Sequence, residues 1–118
     1  MTNAVHTNQI QLITYVDRLS GGKITDLNNL LNDKLSGLFD GVHLLPFYPP
    51  IDGEDAGFDP SDHTAVDSRL GTWQDIEHLA KDYPIMADMI VNHMSAQSPQ
   101  FLDVLQHGAA SKYWPLFL

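Results

Sequence analysis

Cysteine is absent, which removes disulfides and thiolate metal sites from consideration and fits a cytoplasmic protein. Basic residues are scarce: 6 Lys and Arg stand against 15 Asp and Glu, a formal net charge of −9. Such a field repels phosphate backbones, so nucleic acid is a poor partner. No stretch approaches the roughly 18 consecutive apolar residues of a membrane span, and no membrane partner is expected. The opening residues Met1 to Asn8 lack the basic-then-apolar order of a secretion signal and read as a polar extension. Internal repeats and low-complexity tracts are also lacking. What is present is a hydrophobic share of 43%, enough for a packed core and too much for a disordered chain.

The scarcity of base is uneven. Between Lys34 and Arg69 there is no Lys or Arg, while the same stretch holds Asp40, Asp52, Glu54, Asp55, Asp59, Asp62 and Asp67. Most acidic runs are solvated loops. Here Phe47, Tyr48, Phe58, Pro60 and His63 are interleaved with the carboxylates, and a merely solvating loop has no need of aromatics. The combination suits a neutral, hydroxyl-rich ligand that donates many hydrogen bonds.

Periodicity supplies the framework. Gln9 to Tyr15 reads as a short β-branched and aromatic strand, broken by Gly21-Gly22. Ile24, Leu27, Leu30, Leu31 and Leu35 form one stripe of a helix that Gly37 stops. Gly41 to Pro46 is apolar on both faces, as a buried parallel strand is. An irregular segment then runs from Phe47 to about Gly71, a length that is usually functional when it is not disordered. Thr72 and Asp75 have the spacing of a capping box, and Trp73, Ile76, Leu79 and Ala80 form the predicted buried stripe of the helix they open. Ile85 to Val91 reads as a third buried strand interrupted by Asp88, whose carboxylate requires a partner there. Ser98-Pro99 opens a last helix with Phe101, Val104 and Leu105 inward, closed by His107-Gly108.

Strands alternating with helices predict an α/β fold with a parallel sheet and right-handed crossovers. The first turn lacks the glycine-rich phosphate fingerprint of a doubly wound sheet, so a (β/α)₈ TIM barrel is preferred. A barrel takes about 250 residues, so the chain would hold only its first β-α-β-α-β portion. The expected division is a polar extension over 1–8, barrel strands one to three over 9–94, and the start of an inserted helical segment over 95–118. The uncharged, apolar Tyr113 to Leu118 agrees with a chain expected to continue. In such barrels the working groups lie at the C-terminal ends of strands. The acidic loop follows the second strand and Asn92-His93 the third, so Asp55, Phe58 and His93 are candidates to meet around one small ligand. A metal hydrolase built on His43, His63, His93 and Asp88 is the rival, disfavoured because the spacing is not that of helical metal ligands and His43 sits inside a strand. A non-catalytic product is a third reading.

Taken together, these segments resemble the alpha-amylase family. Asp88 to His93, an acid four residues ahead of Asn92-His93, is similar to that family's conserved region at the end of strand three. Gly57 to Asp67, followed by Leu70-Gly71-Thr72, is similar to its segment after strand two. Most members carry tyrosine where this chain has Phe58 and His63. That departure, with Leu44 to Phe47, Asp55-Ala56 and the opening Gln11 to Asp17, resembles the branch of sucrose phosphorylases.

The resemblance implies retaining, double-displacement chemistry by two carboxyl groups about 5–5.5 Å apart. In that branch sucrose and inorganic phosphate are the substrates, and glucose 1-phosphate and fructose the products; the alternative within the family is another glucosyltransferase, or a phosphorylase or hydrolase of a different glucoside. By carry-over Asp55 would hold a glucose hydroxyl, Phe58 would lie under the sugar's C–H face, and His93 would donate to ring-side hydroxyls. Asp88 and Asn92 would support His93 and the loop. The asparagine position ligates calcium in some relatives, but no metal or other cofactor is expected in this branch. The resemblance admits a homodimer of the full-length enzyme. It also puts the nucleophile and the acid/base beyond residue 118, so the chain by itself is expected to be inactive.

Overall fold

A computed structural model describes residues 10–51 and 56–117. Three strands form one parallel sheet in the order β1 (Gln11–Thr14), β2 (Gly41–Leu44), β3 (Ile85–Ala87). Between β1 and β2 lie α1 (Val16–Ser20) and α2 (Ile24–Asn32); α3 (Trp73–Asp82) joins β2 to β3. After β3 come α4 (Pro99–His107) and two short 3₁₀ turns, Gly108–Ala110 and Trp114–Leu116. The predicted β-α-β-α-β portion of a TIM barrel and the helical excursion after strand three are both present. The extension 1–8 and Gln9 lie outside the described residues.

Register separates the two faces of the sheet. Leu12, Val42 and Ile85 stand in line, as do Thr14, Leu44 and Ala87. Val42 and Leu44 on this face are fully buried against Leu27, Leu31 and Leu79 of the helices, with Leu12 and Ile85 packed beside them. The alternate line, Ile13, His43 and Met86, points the other way, because successive side chains of a strand alternate. Ile13 and Met86 are 60% and 50% exposed. The helices thus cover one face and leave the other open.

Local chemistry sets the helix ends. Thr72 Oγ1 accepts from the Asp75 N–H, and the Asp75 carboxylate accepts in return from the Thr72 N–H at 2.8 Å, the reciprocal cap that the spacing predicts. Ser98 caps α4 through the Phe101 N–H, Pro99 occupies its first turn and Gly108 ends it. Tyr83, at the close of α3, is buried and donates its hydroxyl to the Leu31 carbonyl at 2.9 Å, tying α3 to α2.

Several expectations are corrected. The first helical stripe includes only Ile24, Leu27 and Leu31 as fully buried residues, and Leu35 falls in turns beyond Asn32. Here Asp33 leaves the helical conformation at φ −103° and ψ −87°. The short α1, which the pattern did not signal, is ended by Gly21 at φ 74°. The third strand is not buried and pairs only over Ile85–Ala87: Met86, Met89 and Val91 are 50%, 84% and 80% exposed. β3 is the outer strand, with no pairing strand beyond it among the described residues. Trp73, Ala80 and Leu105 are exposed rather than buried. Trp73 turns instead to the long loop, and Ala80 and Leu105 lie on exposed sides of their helices.

Candidate functional site

The segment after β2 is built and anchored. Its base is closed where the Asp67 N–H donates to the Phe47 carbonyl at 2.8 Å. Midway, Pro50 and Pro60 form an antiparallel bridge, and the Ser61 N–H and hydroxyl both reach the Pro49 carbonyl. Phe47 is buried, with Tyr48 at 5.0 Å and Trp73 edge-on at 5.7 Å between ring centroids. The Trp73 indole N–H donates to the Thr64 carbonyl at 2.8 Å and ties the loop to α3. Asp67 is buried and gripped by the Arg69 guanidinium at 2.6 Å. Burial works against its charge, but the hydrogen bonds from the Arg69 side chain and backbone outweigh it, so the carboxyl is held below the usual 3.8. Hydrogen bonds from Thr64 likewise lower Asp62.

Phe58 leaves this base through a turn that only glycine fits. Gly57 has φ +83°, and a Cβ there would lie 2.9 Å from the carbonyl oxygens of both Pro46 and Tyr48. The following Phe58 ring is 43% exposed and meets Tyr15, at the end of β1, edge-on at 6.3 Å. His93, after β3, donates its Nε2–H to the Phe58 carbonyl at 2.7 Å and lies 3.9 Å from the Asp59 carboxylate. His63 donates to the His93 carbonyl at 3.2 Å, and the Ser95 N–H to that of Pro60 at 2.9 Å. Two of the three residues expected around the ligand are therefore in direct contact at the C-terminal ends of the strands. The third, Asp55, lies outside the described residues.

Of the supporting pair, Asp88 contacts the loop through Tyr48 but not the His93 ring. Asp88 bonds not to His93 but to His43, whose Nε2–H lies 2.9 Å from Oδ1; the Tyr48 hydroxyl donates to the Asp88 carbonyl at 2.7 Å. Burial, and then the nearby Asp88 carboxylate, push the Tyr48 phenol up, so it stays a donor. Asn92 is exposed and lines, with His93, His63, Phe101 and Phe117, a hollow of about 870 Å³. A second cleft, about 340 Å³, lies between Tyr15, Arg18, Lys23, Ala56 and Arg69. Both fall in the size range of small-molecule sites. Among the described residues no three His, Asp or Glu side chains converge as metal ligands. Each of the imidazoles of the rival metal site donates to a different acceptor: His43 to Asp88, His63 to the His93 carbonyl, His93 to the Phe58 carbonyl. Sequence reasoning missed Tyr15 as the neighbour of Phe58 and His43 as the partner of Asp88. Strand parity alone puts His43 and Asp88 on one face, a signal that was available.

Comparison with known proteins identifies the family and the fold. Residues 31–118 match the family described as alpha amylase, catalytic domain. The sucrose phosphorylase of Bifidobacterium adolescentis is 56% identical over 111 residues, 94% of this chain and 22% of that protein. The sucrose phosphorylase of Agrobacterium vitis is 59% identical over 111 residues, 94% of this chain and 23% of that one. The crystal structure of sucrose 6F-phosphate phosphorylase from Thermoanaerobacter thermosaccharolyticum superposes with a TM-score of 0.84 at 39% identity, covering 92% of this chain and 22% of that one. The chain thus spans 22% and 23% of the length of the two curated relatives. No helix among the described residues is long and apolar enough to cross a membrane.

Proposed function

The chain belongs to the alpha-amylase family, and from that premise we propose that it forms the N-terminal part of a retaining glucosyl-transferring enzyme converting sucrose and inorganic phosphate into glucose 1-phosphate and fructose. The 56% and 59% identity to two sucrose phosphorylases supports the substrates. The observation that carries the site is the 2.7 Å hydrogen bond from the His93 ring to the Phe58 carbonyl, which sets an exposed aromatic ring and an imidazole on one rim. In this reading 9–94 supplies the first three barrel strands, and 95–118 opens an inserted segment. The enzyme works in the cytoplasm, a location to which the absence of cysteine is suited.

The chemistry assigns this chain the recognition of glucose, not the bond cleavage. Phe58 offers an apolar platform to the C–H face of the sugar. By the resemblance Asp55 takes hydroxyl hydrogen bonds of the glucose, and His93, whose Nε2–H is given to the Phe58 carbonyl, has Nδ1 left for a hydroxyl on its side. A carboxylate outside this chain attacks the anomeric carbon and displaces fructose, whose oxygen takes the proton of a second carboxyl group. Phosphate then takes the glucosyl unit from the first carboxylate.

The test is Asp55→Asn in the full-length enzyme. One lost charge-assisted hydrogen bond lowers kcat/KM for sucrose by about tenfold or more. Wild-type values would remove Asp55 from the pocket. The likeness to a sucrose 6F-phosphate phosphorylase favours one second reading, with a phosphorylated donor. A higher kcat/KM for sucrose 6F-phosphate than for sucrose would select it.

A further inference from the structure

Inside the sheet, on the face the helices leave open, the register partners of His43 are Ile13 and Met86, both apolar. An imidazole in that row has no local polar neighbour on its own level. It reaches upward instead, and its Nε2–H meets the Asp88 carboxylate at 2.9 Å, one residue past the end of β3. Asp88 is held a second time from the β2 side, where the Tyr48 hydroxyl donates to its carbonyl at 2.7 Å. The strand end is thereby fixed at two points, side chain and backbone. His43 and Asp88 are half-buried, with side chains 18% and 31% exposed, so the bond is shielded from water better than a surface pair.

Five residues further on, the same two chain segments meet again. The His93 ring donates to the Phe58 carbonyl, and His63 donates to the His93 carbonyl. Regular strand pairing has already stopped at Ala87. Between Ala87 and His93, then, the position of the chain depends on side-chain anchors, and Asp88 is the first of them.

We propose that His43 is a positioning residue for the glucose pocket: through Asp88 it sets where the segment after β3 leaves the sheet, and so where His93 stands against Phe58. This deepens the function proposed above and rests on it for the identity of the ligand. His43 itself touches no substrate.

Three variants of the full-length enzyme test this: His43→Leu, His43→Gln and Asp88→Asn. Leucine removes the donor at similar size. Glutamine keeps an N–H donor, and asparagine at 88 keeps an acceptor oxygen. In His43→Leu the KM for sucrose rises about tenfold while kcat stays within roughly threefold, the loss expected when binding rather than the chemical step is disturbed. His43→Gln recovers most of that loss, and Asp88→Asn falls between. The ring 15N and 13C signals of His93 move in His43→Leu and return in His43→Gln. If His43→Leu leaves KM and the His93 signals at wild-type values, the proposal is overturned. It is also overturned if His43→Gln and His43→Leu are equally impaired with unmoved His93 signals. Should His43→Leu fail to fold, the His93 signals and KM of Asp88→Asn and His43→Gln decide alone. A wild-type enzyme that does not turn over sucrose refutes the substrate, while the His93 signals still report on the link from His43.

Discussion

The helix-covered face of the sheet and its β3 edge have the same apolar character and opposite fates. Leu27, Leu31, Val42, Leu44 and Leu79 are fully buried; Met86, Met89 and Val91 are 50%, 84% and 80% exposed. Nothing in hydrophobicity separates the two groups. The difference is what lies over them: the first group is packed where helices and sheet meet, whereas Met86 stands on the face without helices and Met89 and Val91 follow the last paired residue, Ala87. Apolar residues on a strand therefore announce that a cover is needed, and the fold decides whether one is supplied.

The comparison breaks most sharply by truncation. Leu27→Ala removes a fully buried side chain and should cost about 2–5 kcal/mol in urea unfolding, as large-to-small core changes do. Met89→Ala, at 84% exposure, should stay within about 0.5 kcal/mol, as exposed positions do. A large loss at Met89 in the full-length enzyme would mean that further strands cover that edge. The next effect lies in the loop. Gly57→Ala must hold φ +83° with a Cβ 2.9 Å from two carbonyl oxygens, and a destabilisation of about 1–3 kcal/mol is expected together with a rise in KM. An unchanged melting temperature and KM would show that the turn can relax without moving Phe58.

A pH measurement sharpens the contrast between the loop's base and its rim. Asp67 has a folded-state pKa lowered below 3.8. The stability it contributes is fully present above its unfolded pKa and is lost as pH falls through the lower, folded value. Acid unfolding below about pH 4 should accordingly be less steep in Asp67→Asn than in the wild type, with the two converging at the acid end. The caps come last among the destabilising changes: Thr72→Ala and Ser98→Ala should each lower stability by about 1 kcal/mol. A neutral result at Ser98 would place α4 among segments held by packing alone.

Much of this was readable from particular residues. Thr72 with Asp75, and Ser98 with Pro99, marked helix starts correctly because capping is local chemistry within four residues. The placement of Phe58 and His93 on one rim followed from strand order, since loops at the C-terminal ends of parallel strands share a face. What failed were judgements of burial. Trp73 lies on the predicted stripe of α3, yet its indole N–H finds the Thr64 carbonyl nine residues away, a partner that helical spacing cannot indicate. The length of the third strand was overestimated because Ile85 to Val91 is apolar apart from Asp88, and only pairing stops a strand at Ala87.

Composition, periodicity and capping thus determined by themselves the parallel β-α-β-α-β order, the starts of α3 and α4 and the sheet end on which Phe58 and His93 stand. These depend on neighbours a few residues apart. The tertiary structure alone decided that Asp88 bonds to His43 and not to His93, that Gly57 packs against the backbone of Pro46 and Tyr48, and that the third strand pairs only as far as Ala87. The contacts among these join groups well separated along the chain, where their distance is set by how layers pack and not by the order of residues.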